Sequence, residues 1–224
     1  MNMLKVQVAL LWVVLLVLVA TGFRADPGEA RFRELTVERI NVVDSAGNVR
    51  VILAGGFPPR RGHLAGLIFN HASGSEAGGL VYGGARDADG RIDAGAILTF
   101  DKFGDDQIVA LRYSERDGRR SQGLTFQDRP DSLGPELLSY YRRIDPMPPG
   151  PARDSLVQEM LRTVPADQLA SRRMFLGRNT AKSSVIDLAD PRGAVRLRMV
   201  VDSLGDARIE FLDGDGTVAR VIEP

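Results

Sequence analysis

The residues best suited to chemistry in this chain are its two histidines, His63 and His71, and several groups of aspartates. Two imidazoles joined by carboxylates such as Glu76 or Asp87 would make a nitrogen–oxygen metal site. Both histidines sit in glycine-rich, turn-like sequence, which reads as solvated loop. Asp213-Gly214-Asp215-Gly216 has the oxygen density of a calcium loop, but an EF-hand needs further oxygen ligands and a closing Glu at position 12, and that pattern is not completed. Asp101, Asp105 and Asp106 in DKFGDDQ could hold a cation, yet a solvated turn accounts for them as well. There is no Gly-x-Ser-x-Gly, and the absence of Cys removes thiolate nucleophiles and thiolate metal sites. Glycosidase chemistry would need two facing carboxylates, and no spacing singles out a pair. The residues therefore point to no enzyme, no metal and no cofactor.

Two other groups suggest contact. Gly78, Gly79, Gly83 and Gly84 bracket Leu80-Val81-Tyr82 without the spacing of a dinucleotide or phosphate loop. Glycine inside strands marks close approach of another backbone, so a tight contact within the chain or with a partner is expected. Tyr140-Tyr141-Arg142-Arg143 places Tyr and Arg, both frequent at interface hot spots, at one helix end. These eight residues are the candidate partner interface.

The elements that would position them follow from composition and pattern. Formal net charge is zero, against the basic excess of a nucleic-acid binder. Residues 6–23 read VQVALLWVVLLVLVATGF, with Val6, Leu10, Trp12, Leu16 and Phe23 along an apolar run. Eighteen residues of helix rise about 27 Å, enough to cross a bilayer core. An uncleaved transmembrane anchor over 1–24 is expected, with a cleaved signal peptide as the alternative. Arg24, Arg31 and Arg33 follow the run; local charge alone would put the long part in the cytoplasm. The signal-like start and the Cys-free, β-rich body favour the inner membrane with the body on the periplasmic side.

Residues 25–34 read as a linker, 35–129 as a β domain, 130–174 as a helical and Pro-rich connector, and 175–224 as a second β-hairpin region. Helical character is expected over 133–144 and 154–173, on either side of Pro146-Met147-Pro148-Pro149-Gly150-Pro151. The fold class is mainly β: one transmembrane helix, then an antiparallel hairpin body. A short unit recurs in INVVDSAGNVRVIL, VIDLADPRGAVRLRMV and EFLDGDGTVARVI, with a looser copy over 109–124. An apolar strand meets Asp, the chain turns at Gly, and a new strand begins. Asp caps the turn and Gly takes positive φ, so the unit specifies hairpins.

The segments LTVERINVVDSAGNVRVIL, GGLVYGG, LTFDKFGDDQIVAL and RIEFLDGDGTVARV resemble a family of bacterial membrane-anchored, β-rich proteins. The resemblance covers most of the body and implies no particular activity. The layout is also similar to that of the small accessory subunit beside the reaction centre in Gemmatimonas-type photosynthetic complexes. That resemblance implies a structural role between a reaction centre and its light-harvesting proteins. Sequence and resemblance together lead to the expectation of a non-catalytic accessory subunit, contacting lipid and integral membrane partners. The competing expectations are an anchored module binding envelope glycan or another ligand, and a carboxylate hydrolase.

Overall fold

The computed structural model describes residues 3–22, 30–57, 64–131, 134–165 and 168–224. His63, Arg24, Phe23 and residues 25–29 of the expected linker lie outside the described residues. Two compact units divide the chain, Met1–Val37 and Glu38–Pro224.

The first unit contains helix α1 (Met3–Gly22). The expectation of a transmembrane helix carrying Val6, Leu10, Trp12, Leu16 and Phe23 does not hold. Among the described residues no helix is long and apolar enough to cross a membrane. Gln7 follows Val6 and Thr21 precedes Phe23, so the run without polar side chains is 8–20. It rises only about 20 Å, short of the ~30 Å hydrocarbon core. Leu10, Trp12 and Leu16 lie on α1 and are exposed within it.

The second unit is a β-meander. Its strands are β1 (Arg39–Val43), β2 (Val49–Ala54), β3 (Ala65–Asn70), β4 (Glu76–Arg86), β5 (Ile92–Asp101), β6 (Gln107–Arg116) and β7 (Arg119–Asp128). Helices α2 (Pro135–Ile144) and α3 (Pro151–Thr163) follow. Then come β8 (Ser171–Arg178), β9 (Ser184–Ala189), β10 (Val195–Val201), β11 (Ala207–Leu212) and β12 (Val218–Ile222). All pair antiparallel in sequence order as one 12-stranded sheet. The two β regions flanking the helices are thus continuous through β7 and β8.

The recurring Asp–Gly unit explains this order. At Asp44 the backbone N–H donates to the Asn48 carbonyl at 3.0 Å, and Gly47 N–H donates to the Asp44 carbonyl at 2.9 Å. The same loop closes at Asp87, Asp190, Asp202 and Asp213, and at His71 and Asn179. It is a three-residue hairpin loop whose last residue has positive φ: Gly at most of these sites, Lys182 at one. Asp44, Asp190 and Asp202 each also accept backbone N–H bonds on one carboxylate oxygen. The looser copy differs: Asp117 (φ 51°) and Gly118 (φ 76°) make a two-residue turn. Short local loops leave each strand one neighbour to join, so a meander results.

Both helices start at Pro, which lacks the N–H that a first turn leaves unpaired. Leu137, Tyr140, Ile144, Met160 and Val164 form their shared core. The second expected helix stops at Thr163, ten residues short of 173. Pro165 disfavours helix in the residue before it, and Val164 is extended (φ −73°, ψ 130°). Ser171 to Arg173 then belong to β8.

Candidate functional site

In an antiparallel sheet directly paired residues share a face. Following the pairs across the sheet gives one row: Ile40, Leu53, Leu67, Leu80, Leu98, Leu111, Leu124, Leu176, Ile186, Met199, Ile209 and Ile222. Every strand contributes one aliphatic side chain. At ~4.8 Å per strand the row is about 53 Å long. Two residues along most strands lies a second apolar row, including Phe69, Phe100, Phe126, Leu188 and Phe211, with Gly78 on β4 and Arg220 on β12. Leu53 is 45% exposed, Leu111 53% and Met199 43%. The sheet is a single layer, and among the described residues no second layer of the same unit packs over this apolar face; the helix pair packs chiefly on itself.

Over β6–β12 the apolar face encloses a trough of about 1040 Å³. Its walls are Leu111, Leu124, Leu176, Ile186, Met199, Ile209 and Ile222. Gln122, Arg178 and Ser184, paired in register on β7, β8 and β9, form a polar row along one side. Arg208 and Glu223 also border it, although register puts their side chains on the opposite face of the sheet.

The opposite face is polar over the same strands. Asp187, Arg198 and Glu210 are direct neighbours on β9, β10 and β11. Arg198 Nε donates to Asp187 Oδ1 at 2.7 Å and its Nη1 lies 3.6 Å from Glu210 Oε2. Arg208 Nε reaches Glu210 Oε1 at 2.7 Å. Arg172 approaches Asp187 at 3.9 Å. The hydrogen bond to Asp187 and then the two carboxylate charges push the Arg198 pKa up. A smaller pocket of about 400 Å³ beside this ladder is lined by Arg112, Arg172, Phe175, Asp187 and Arg198. The Phe175 ring lies over the glycines of β7 and β8. A Cβ on Gly177 would stand 2.2 Å from the Gln122 carbonyl oxygen and 2.9 Å from the ring.

The carboxylates considered for metal or hydrolytic chemistry are arranged as turn chemistry. Among the described residues no group of three His, Asp or Glu is placed to hold a metal ion. Asp105 and Asp106 each pair with Arg129 at 3.0 Å, and Lys102 donates to the Pro130 carbonyl at 2.6 Å. This ties the β5–β6 turn to the segment entering α2. Burial, then Asp101 and Asp106, push Glu76 up; burial, then Asp106, do the same to Asp101. His71 packs its ring 4.7 Å from Phe103. Asp215, hydrogen-bonded first to Asp213 and then to Thr217, is lowered to about 2.

The expected interface residues are spread out. A Cβ on Gly78 would stand 2.2 Å from the Thr99 carbonyl oxygen, and one on Gly79 2.6 Å from that of Leu67. Gly83 pairs with Gly95, and Gly84 with Ala94. Their close approaches are therefore to the neighbouring strands of their own sheet. Tyr140 is buried between the helices, its hydroxyl 3.0 Å from Glu159 Oε1. Arg143 lies over its ring at 5.3 Å. Tyr141 packs against the same core, and burial first raises its pKa. Arg142 is exposed. None of these residues lines the trough, and no motif singles out the residues that do. The signal of the aliphatic row as a whole is distance from a turn: Ile40, Ile186 and Ile209 stand four residues before Asp44, Asp190 and Asp213, while Leu53, Met199 and Ile222 stand nine after.

No family model, curated protein or solved structure matches this chain.

Proposed function

We propose that the chain is a non-catalytic binding protein that takes an apolar ligand into the trough of its sheet. The observation behind this reading is the aliphatic row, continuous from strand to strand and exposed or half-buried along a concave surface. Exposed apolar patches of this extent mark ligand or partner sites. An apolar concavity edged by a few polar groups is the usual form of a small-molecule site. Glycan binding is a poorer fit. Sugars stack on aromatic platforms, and among the described residues lining the trough there is no Trp, Tyr or Phe. Organic extraction of the purified chain followed by mass spectrometry tests the reading. An apolar molecule should be released from the wild type and be depleted from Met199→Glu. Equal extracts from both would count against it.

A second reading is favoured by the part of the row outside the trough. Leu53, Leu80 and Phe100 on β2, β4 and β5 are exposed on the same face. A protein partner laid along that face would bury them, which is the accessory-subunit role. Placement beside a reaction centre and its light-harvesting proteins is the finer form of that role, supported only by the resemblance of layout. Leu53→Glu should weaken recovery of such a partner and leave the extracted ligand unchanged.

A further inference from the structure

We infer that the trough is built for an amphipathic anion, a long-chain fatty acid, with its carboxylate at Arg178 and its tail along the aliphatic row. This rests on the reading of the trough as a ligand site. Arg178 is the last residue of β8 and is half-buried. It faces the same side as Leu176, two residues earlier, so its guanidinium stands beside the apolar wall. Gln122 and Ser184 are its direct cross-strand neighbours, an amide and a hydroxyl that can each donate to the same oxyanion.

The charge at this end is uncompensated. Among the described residues Arg178 has no ion pair and its guanidinium has no hydrogen bond. Arg208, the other cation bordering the trough, has its side chain on the opposite face and is already occupied: Glu210 lies at 2.7 Å and Asp202 at 3.5 Å. Glu223 acts on Arg208 as well. A half-buried guanidinium beside an apolar wall gains most from a bound anion. Its planar fork matches a carboxylate with two parallel N–H bonds. The polar row supplies a single positive charge, which suits a monoanion and not a phosphate dianion.

The tail has a matching path. From Leu176 on β8 to Ile222 on β12 the row covers four strand spacings, about 19 Å. Its side chains are unbranched or branched aliphatics throughout, which suits a flexible acyl chain. The volume of about 1040 Å³ lies at the upper end of small-ligand sites.

The test is calorimetric titration of the full-length chain with sodium oleate below its micelle threshold, beside oleyl alcohol and lysophosphatidylglycerol. Oleate should bind with one-to-one stoichiometry and more tightly than the alcohol. Arg178→Met should weaken oleate by roughly ten- to a hundredfold, the size of a hydrogen bond to a charged group, and leave the alcohol unchanged. Arg178→Lys should retain part of the preference. Equal binding of oleate and alcohol by the wild type would remove the carboxylate assignment while leaving the trough a ligand site. Tighter binding of the lysophospholipid would replace carboxylate by phosphate. Binding of none of the three would overturn both this inference and the reading on which it rests. The wild-type comparison decides the matter even if a variant folds poorly.

Discussion

Replacing Arg198 by Met should be among the most damaging single changes in the sheet. Arg198 bridges Asp187 and Glu210, whose side chains are each only 9% exposed. Without it Glu210 keeps Arg208 at 2.7 Å. Among the described residues Asp187 keeps only Arg172, at 3.9 Å and on a side chain that is 49% exposed. Stranding a buried carboxylate costs about 3–5 kcal/mol. Arg198 is itself 34% exposed, and water entering its place lowers the cost to about 2–4 kcal/mol. For a unit of this size that corresponds to a fall in Tm of roughly 4–16 °C. Circular dichroism during thermal and urea denaturation reads it. The double change Asp187→Asn with Arg198→Met should recover part of the loss, because the stranded charge is gone. A loss under about 1 kcal/mol, or a double variant no better than the single, would show that the ladder is a solvated surface feature.

Gly78→Ala should cost about 3 kcal/mol, because a side chain there is opposed twice, by the φ of +129° and by the Thr99 carbonyl oxygen 2.2 Å from where its Cβ would stand. A shift in the urea midpoint at unchanged slope checks this. Asp101→Asn should stabilise the fold at neutral pH. Asp101 has its pKa raised in the fold, so its ionisation opposes folding above about pH 4, and the gain should vanish below that value. Asp215 has the opposite sign. Its stabilisation is complete above the unfolded value near 4 and is lost as pH falls toward about 2, which Asp215→Asn should abolish in an acid titration of stability. Arg129→Ala should release the tie between the β5–β6 turn and α2, costing about 2–3 kcal/mol and speeding hydrogen exchange in α2.

Much of the fold is legible in the sequence because its loops are local. Asp44, Asp190, Asp202 and Asp213 each cap a turn through their own carboxylates, and a turn of fixed length fixes the pairing on both sides. That all the strands form one sheet is less legible, because the pairing of β7 with β8 spans the stretch from Asp128 to Ser171 and passes through two helices. The trough is hidden for a related reason. Each strand alone shows alternating apolar residues, as any half-buried strand does. Only the common offset from the turns reveals that Ile186, Met199 and Ile209 align, and only register places Arg178 between Gln122 and Ser184. The N-terminal run looks long enough to span a bilayer only when its hydropathy is summed across Gln7 and up to Phe23. Tyr140 reads as surface beside Arg142 and Arg143, while helical spacing turns it toward Leu137 and Ile144.

If the concave apolar face receives an apolar molecule, a neutral fluorophore should enter it. Titration of the purified full-length chain with N-phenyl-1-naphthylamine measures this. Fluorescence should rise and saturate at one probe per chain. The rise should be abolished by Met199→Glu inside the trough and unaffected by Leu53→Glu outside it. A response that never saturates, or one equally strong in Met199→Glu, would rule out the trough as the binding site.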